Sequence, residues 1–199
     1  MKYEKYAKAE RTRQFIIESV SPIFNKKGYT ATSLSDLIQA TGLSKGSIYG
    51  NFKNKDEVAV AAFRHNVRFI SKILAKKIEE SESSRGKLLA FPETYRLISE
   101  SLLKRGGCPV LNTSVDSSDV HSRLQQEVRR VIQSWKRHLV TILNVGLKRG
   151  EFSGNVDQES VAEILICLVE GGHAMTKATG EYSFLENSLT QMETVIRSL

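Results

Sequence analysis

Apolar residues along this chain recur at spacings of three and four, which is the period of amphipathic α-helices. In the first segment Ile16, Val20 and Phe24 fall on one helical face, and Gly28 offers a left-handed end to that helix. Runs that alternate between apolar and polar residues, as strands do, are scarce. The pattern therefore predicts an all-α fold.

Two short helices are expected after this first one. Ser33 and Asp36 match the start of a helix with a capping box, and Gly42 is suited to end it. A third helix is expected from Ser44, with Ile48 on its buried side. The two short helices lie close enough in sequence to pack as a pair.

The helical period continues through the rest of the chain, with one polar interruption. A capping signal at 54–57 predicts a long fourth helix, and the stretch 79–86 lacks periodicity and is expected to be a loop. Later helices are expected at 87–104, 109–116, 118–149, 157–178 and 184–198. The prediction is a small N-terminal helical unit followed by a larger helical body.

Composition narrows the class of protein. The chain has 199 residues, and 40 % of them are hydrophobic, which suffices for a packed core in one or two domains. The longest apolar runs, 58–63 and 164–169, are too short to span a membrane. The N-terminus lacks an apolar signal core, and two cysteines make no disulfide framework. We therefore expect a cytoplasmic protein with no membrane partner.

Positive charge is concentrated at the start of the chain. Residues 1–55 contain ten Lys and Arg against four Asp and Glu, whereas residues 56–199 contain 19 against 18. A basic block attracts nucleic acid or acidic lipid, and it can also be a solvated face that aids solubility. Charge alone leaves these alternatives open.

The turn Thr41-Gly42-Leu43-Ser44 between the two short helices predicts a helix-turn-helix. In that motif the second helix enters the major groove of DNA. Its exposed side would present Ser44, Lys45, Ser47 and Asn51, and Gly46 would permit close approach to the sugar-phosphate backbone. An ordinary helical hairpin is the alternative.

Three runs of sequence carry a resemblance to a known family. Residues 28–38 read Gly-Tyr-Thr-Ala-Thr-Ser-Leu-Ser-Asp-Leu-Ile, residues 41–49 read Thr-Gly-Leu-Ser-Lys-Gly-Ser-Ile-Tyr, and residues 52–58 read Phe-Lys-Asn-Lys-Asp-Glu-Val. They resemble the DNA-binding domain of TetR-family transcriptional regulators over about residues 8–60. The resemblance implies a three-helix DNA-binding domain at 1–55 and an effector-binding and dimerisation domain at 56–199.

The resemblance also implies which residues meet DNA. The helix at 44–50 would read the groove, while Tyr49 and the start of the fourth helix would hold phosphates. Lys55 lies in the first turn of that helix, where its charge opposes the helix dipole, and a phosphate would explain this placement. A solvated lysine at a helix end is the alternative. Either Thr32 or Ser33 would contact phosphate through its hydroxyl or backbone. Non-specific attraction is expected from a basic tail of Lys2, Lys5, Lys8 and Arg11.

Members of this family are usually homodimers that pair their last two long helices, which here are 157–178 and 184–198. The residues expected on the paired faces are Ile164, Leu165, Leu168, Val169, Leu185, Leu189, Met192 and Ile196, with Gly171, Gly172 and Ala174 allowing close approach. The alternative is that these residues form the core of a single chain. A dimer presents two groove-reading helices, and its partner is then a palindromic operator in double-stranded DNA.

The remaining helices would enclose a pocket for an unknown small-molecule effector. The candidates for its lining are Phe69, Phe91, Tyr95, Cys108, Asn112, Trp135, His138 and His173. Aromatic residues at helical spacing are also ordinary core residues, which is the alternative for each of them. The four histidines, His121 among them, show no metal-ligand spacing, so neither a metal nor another cofactor is expected.

Cys108 suggests a second hypothesis about the signal that this protein senses. It follows Lys104 and Arg105 and precedes Pro109, so a depressed pKa would make it reactive towards oxidants or electrophiles. A buried, inert cysteine is the alternative, and Cys167 is expected in the core. No nucleophile–base set or phosphate-binding glycine loop is present, so an enzyme is not expected. The prediction is a repressor released by an effector, with thiol sensing through Cys108 as the alternative.

Overall fold

The computed structural model describes residues 2–117 and 122–199, with side chains from residue 7 to 117 and from 123 onwards. The helices in these ranges are α1 (Lys2–Ala31), α2 (Leu34–Thr41), α3 (Lys45–Asn51), α4 (Lys55–Glu79), α5 (Ser84–Lys104), α6 (Pro109–Ser117), α7 (Ser122–Lys148), α8 (Gln158–Thr179) and α9 (Ser183–Ser198). The all-α prediction is confirmed. The side chains of Lys2 and Lys5, the expected helix start at 118 and His121 lie outside the described residues.

Local capping signals set the helix boundaries where the sequence expects them. The Ser33 side chain accepts a hydrogen bond from the Asp36 amide, and the Asp36 carboxylate accepts one from the Ser33 amide, which is a complete capping box. Gly42 ends α2 with φ +66°. The expected loop at 79–86 is shorter than predicted, because the Ser83 hydroxyl caps the amide of Gly86 and starts α5 at Ser84.

Gly28 interrupts α1 and turns the chain towards the helix-turn-helix. Its φ of +81° and ψ of 174° lie in a region that is essentially restricted to glycine. A Cβ atom added there would lie 2.6 Å from Oδ1 of Asp116 on α6. The same carboxylate accepts a hydrogen bond from the Tyr29 amide, with N···O at 2.5 Å. The end of α1 is therefore fixed directly to α6.

Replacing Gly28 by alanine is expected to lower the free energy of unfolding by about 1–3 kcal/mol, because both the backbone conformation and the Asp116 contact resist a side chain. Chemical denaturation of the variant measures this loss. Gly150→Ala is the matched control, since Gly150 has φ +70° with open space around its Cβ position. Equal losses in both variants would contradict the contribution of the Asp116 contact.

The long helix α4 takes part in two hydrophobic cores. Residues 58–63 pack in an N-terminal core with buried residues of α1, α2 and α3, whereas Ile70 and Leu74 pack in a core formed with α5, α7, α8 and α9. The N-terminal core also takes in four residues from further along the chain, namely Cys108, Val110, Leu124 and Val128. Helices α4, α6 and α7 thus join the N-terminal helices to the body.

The structure corrects the residues expected on the dimer face. Six of them are nearly or completely buried in the core of one chain: Leu165, Val169, Leu185, Leu189, Met192 and Ile196. Gly172 brings α8 close to α9 within the chain, because an added Cβ would lie 2.9 Å from Ser188 Cβ. Only part of the expected face stays on the surface, with Ile164 45 % exposed and Gly171 facing open space.

The expectation that Cys167 is a core residue is wrong. It is exposed on α8, beside Ile164 and Gly171, because the core of the protomer uses the opposite face of this helix. Within the described ranges, no helix is both long enough and apolar enough to cross a membrane.

Candidate DNA-binding surface and effector cavity

Helix α3 shows its polar side to solvent. Ile48 is completely buried and anchors α3 in the N-terminal core, while Ser44, Lys45 and Ser47 are exposed. Gly46 is also exposed, and a Cβ there would meet only the Ser44 hydroxyl at 3.9 Å. The Ser44 side chain caps α3 through the Ser47 amide. The predicted groove-reading residues therefore share one accessible surface.

Arg13 holds this helix in place, a role that was not predicted from the sequence. Its guanidinium donates hydrogen bonds to the Asn51 carbonyl at the end of α3 and to the Glu57 carboxylate on α4, and it lies 4.0 Å from the centre of the Phe52 ring. Glu57 also accepts a hydrogen bond from the Lys53 amide. One side chain of α1 thereby fixes the angle between α3 and α4.

Lys55 lies at the first turn of α4, as expected, and a cation–π contact orients it. Its Nζ atom is 4.3 Å from the centre of the Tyr29 ring. The Tyr29 hydroxyl in turn donates to the Asp56 carboxylate, and burial together with this carboxylate raises the pKa of Tyr29 to about 12. Tyr29 stays neutral, and the cation remains half-exposed at the helix N-terminus.

The remaining candidates for DNA contact differ in the exposure and the hydrogen bonding of their polar groups. Thr32 is completely buried and its hydroxyl donates to the Gly28 carbonyl, so the expected hydroxyl contact with phosphate is wrong for this residue. Ser33 is exposed, although its hydroxyl and amide both bind Asp36. The Asn51 amide donates to the Ser47 carbonyl and has to rotate to reach a base. Tyr49 is half-buried against the N-terminal core.

A small cavity lies in the body, between α4, α5, α7, α8 and α9. Its volume is about 30 Å³, which is room for about two water molecules. The lining is formed by Leu74, Phe91, Tyr95, Trp135, Leu139, Leu165, Ile166, Val169, Glu170 and Met192. The lining is thus largely apolar, and any ligand larger than two water molecules has to displace some of these side chains.

The structure brings only part of the expected pocket together. Phe91, Tyr95 and Trp135 line the cavity. The other five candidates do not line it, although Cys108 and His173 contact residues that do. The Phe69 ring is covered by the Arg105 guanidinium at 4.5 Å, and His138 is exposed. Asn112 lies at a polar junction, where its amide donates to the carbonyls of Asn25 and Gly106 and accepts a hydrogen bond from Lys177.

Glu170 is the ionisable carboxyl group in the cavity lining, and Cys108 and His173 lie behind the lining, in contact with Glu170 and Tyr95 respectively. The Cys108 thiol donates to Oε1 of Glu170 at 3.2 Å, and the His173 ring packs edge-on against Tyr95 with centroids 5.5 Å apart. Burial raises the pKa of Glu170 to about 7 and lowers that of His173 to about 4. Glu170 was missed by the sequence analysis, because a lone Glu in an apolar helix is usually a surface residue.

The hypothesis that Cys108 has a depressed pKa is wrong in its direction, and the structure agrees with the alternative of a buried cysteine. The thiol is 1 % exposed, and its burial, followed by the charge of Glu170, raises its pKa well above the ordinary value. The neighbouring cations do not reverse this, because Lys104 pairs with Glu100 and Arg105 stacks on Phe69. The environment is that of a buried, neutral thiol.

Comparisons with known proteins agree with this geometry. The family model described as "Bacterial regulatory proteins, tetR family" matches residues 16–62, and the model described as "Tetracyclin repressor-like, C-terminal domain" matches residues 84–192. The second match covers more than half of the chain.

Several relatives are similar over nearly the whole length. A TetR-family regulator from Cytophaga hutchinsonii is 41 % identical, with a TM-score of 0.91 and 96 % of each chain covered. One from Chloroflexus aurantiacus is 31 % identical, with a TM-score of 0.90 and the same coverage. The "HTH-type transcriptional repressor ComR" of Escherichia coli is 29 % identical over 93 % of this chain and 87 % of its own.

The family of this chain follows from its helix-turn-helix, its helical body and its similarity to these relatives. Proteins of this kind are DNA-binding transcription regulators, not enzymes. They bind operators and generally act as dimers with small-molecule effectors. The chain belongs to the TetR family of transcriptional regulators.

Proposed function

We propose that this protein is a homodimeric repressor that binds a palindromic operator and is released from it by a small-molecule effector. The observation that carries the proposal is the accessible polar face of α3, held by Arg13 beside the cation of Lys55. Two such faces related by a two-fold axis read two half-sites of one palindrome. The similarity to a repressor from Escherichia coli supports repression, as opposed to activation, of the regulated genes.

The proposed boundary between the DNA-binding domain (1–55) and the effector-binding and dimerisation domain (56–199) lies at the start of α4. Helix α4 begins with Lys55 at the DNA-binding surface, and its later residue Leu74 lines the cavity. Nineteen residues separate these two positions, and a helix rises about 1.5 Å per residue, so the two ends are about 28 Å apart. An effector that displaces Leu74 tilts α4 and moves the phosphate-binding end.

The proposed dimer uses the outer faces of the last two helices. On α8, Ile164 is 45 % exposed, and Cys167 and Gly171 lie beside it around an open depression that Ser188 of α9 completes. Met175, one turn beyond Gly171, is 47 % exposed. Apolar side chains in such a continuous band are typical of a protein–protein interface.

A selection of bound sequences from random double-stranded DNA tests the function. We expect the selected sequence to be a palindrome, with affinity measured afterwards by fluorescence anisotropy on a labelled duplex. Selection of single, unpaired half-sites, or binding that ignores sequence, would contradict a dimeric repressor. Release is tested on the same duplex by adding candidate effectors.

The thiol hypothesis predicts the opposite of what we expect for Cys108. Because its thiol is buried and neutral, iodoacetamide at pH 7.5 is expected to alkylate Cys108 at least about 100-fold more slowly in the native protein than in urea. Peptide mass spectrometry over time measures the two rates. Rates within tenfold of each other would restore thiol sensing as the mechanism.

A further inference from the structure

The cavity in the body contains an unpaired carboxyl group. Oε2 of Glu170 is inaccessible to solvent and has no hydrogen-bond partner in the described part of the chain, while Oε1 accepts from the Cys108 thiol. Both ring nitrogens of His173, one helical turn further along α8, are also buried without partners. A buried polar atom without a partner destabilises the fold, so a ligand that donates a hydrogen bond to Oε2 of Glu170 gains affinity from that contact.

The rest of the lining favours one sign of ligand charge. Among the described residues that line the cavity none is Lys or Arg, so nothing there compensates an anion. Phe91 and Trp135 present aromatic rings, whose faces attract cations. His173, which packs against the lining residue Tyr95, is neutral near pH 7 because burial lowers its pKa to about 4, so it does not repel a cation.

From these contacts we infer that the cavity takes a monocationic amine with an aromatic or aliphatic body, whose ammonium group binds Oε2 of Glu170. This inference rests on the proposed effector function, since it names the chemical class of that effector. The apolar body of the amine lies among Phe91, Trp135 and Leu139. The cavity of about 30 Å³ has to enlarge for this, and the flexible Met192 side chain is placed to move.

Phenethylamine, 2-phenylethanol and phenylacetate are matched probes, with positive, neutral and negative ends on the same ring. The single tryptophan of the chain, Trp135, lines the cavity, so its fluorescence reports binding without any DNA. We expect the amine to bind about 10- to 100-fold more tightly than the alcohol, since hydrogen bonds to charged groups are the stronger ones. Phenylacetate is expected to bind most weakly.

Glu170→Gln keeps the shape of the side chain and removes its charge. We expect it to bind phenethylamine about 10- to 100-fold more weakly than the wild type does, with little change for 2-phenylethanol. The matched control is Glu159→Gln on the exposed side of the same helix, which is expected to leave both affinities unchanged. A wild type that binds the amine no more tightly than the alcohol, or a Glu170→Gln variant that keeps the preference, overturns the inference.

A second measurement needs no variant. The titratable side chains that face Glu170 are the Cys108 thiol and the Tyr95 phenol, and both stay neutral near pH 7 because burial raises their pKa values. Since the pKa of Glu170 is about 7, its ionised fraction rises about tenfold from pH 6 to pH 8, and the amine affinity is expected to rise with it. A flat pH profile of amine binding together with an unchanged affinity of the Glu170→Gln variant overturns the inference.

Operator release is measured separately, by anisotropy of a labelled duplex in the presence of phenethylamine. Amine binding seen by Trp135 together with an unchanged operator complex contradicts the proposed effector function and leaves the ligand class standing. Release of the operator by a neutral compound, with no charge preference in the fluorescence titration, supports the proposed effector function and contradicts the amine as its ligand class.

Discussion

Replacing Gly171 by glutamate is expected to abolish dimerisation and to weaken operator binding by at least about 100-fold. In the protomer an added Cβ at this position meets nothing within 4 Å, so the substitution leaves the fold of the single chain unstrained. In the proposed dimer it buries an uncompensated charge in each subunit, and such a charge costs about 3–5 kcal/mol. Since about 1.4 kcal/mol corresponds to a factor of ten in affinity, this cost lowers the affinity of the dimer, and with it that of the operator complex, by at least about 100-fold.

Sedimentation equilibrium and operator anisotropy measure the two effects. Gly154→Glu is the matched control, because an added Cβ at Gly154 also meets nothing within 4 Å and this residue precedes α8, outside the proposed dimer face. We therefore expect Gly154→Glu to leave both dimerisation and operator affinity unchanged. A Gly171→Glu protein that remains dimeric would place the interface elsewhere.

Operator affinity is expected to fall by about 10³-fold or more between 50 and 200 mM salt, the range for six to ten phosphate contacts. Each subunit brings Lys45, Lys53 and Lys55 to the α3 surface, which makes six cations per dimer. Removing Lys45 from both subunits is expected to reduce the slope of log affinity against log salt by about 2, because each contact contributes about 0.9.

The affinity of the labelled operator, measured across a salt series, gives this slope. Lys148→Ala is a charge-matched control, since Lys148 is exposed at the end of α7, outside the helix-turn-helix. It is expected to leave the slope unchanged. Equal changes for the two variants would show that the attraction comes from net charge and not from docking of α3.

The parts of the fold that the sequence predicts are those with local causes. Ser33, Gly42 and Ser44 set the ends of α2 and α3 through bonds to residues three or four positions away, and such patterns are visible in the sequence. Arg13 was missed because its partners lie 38 and 44 residues away. Nothing in the sequence near Arg13 distinguishes it from a solvated arginine.

The inner and outer faces of α8 were beyond prediction for a different reason. The run 164–169 is apolar at every position, so its periodicity does not show which residues face the core. The structure buries Leu165 and Val169 and leaves Ile164 and Cys167 outside. The lining of the cavity in the body was only partly predicted, because the position of Glu170 between Cys108 and the aromatic lining depends on how α5, α6 and α8 pack together.

The N-terminal core has a consequence for biosynthesis. It includes Leu124 and Val128, so it stays incomplete on the ribosome until about 130 residues have left the exit tunnel. A fragment that stops at residue 62, where the N-terminal family match ends, exposes apolar surface of α1 and α4 that α6 and α7 normally cover. The nascent chain therefore passes through a stage in which the helix-turn-helix segment has been synthesised without its supporting helices. Apolar surface exposed during that interval is the kind of surface to which chaperones bind.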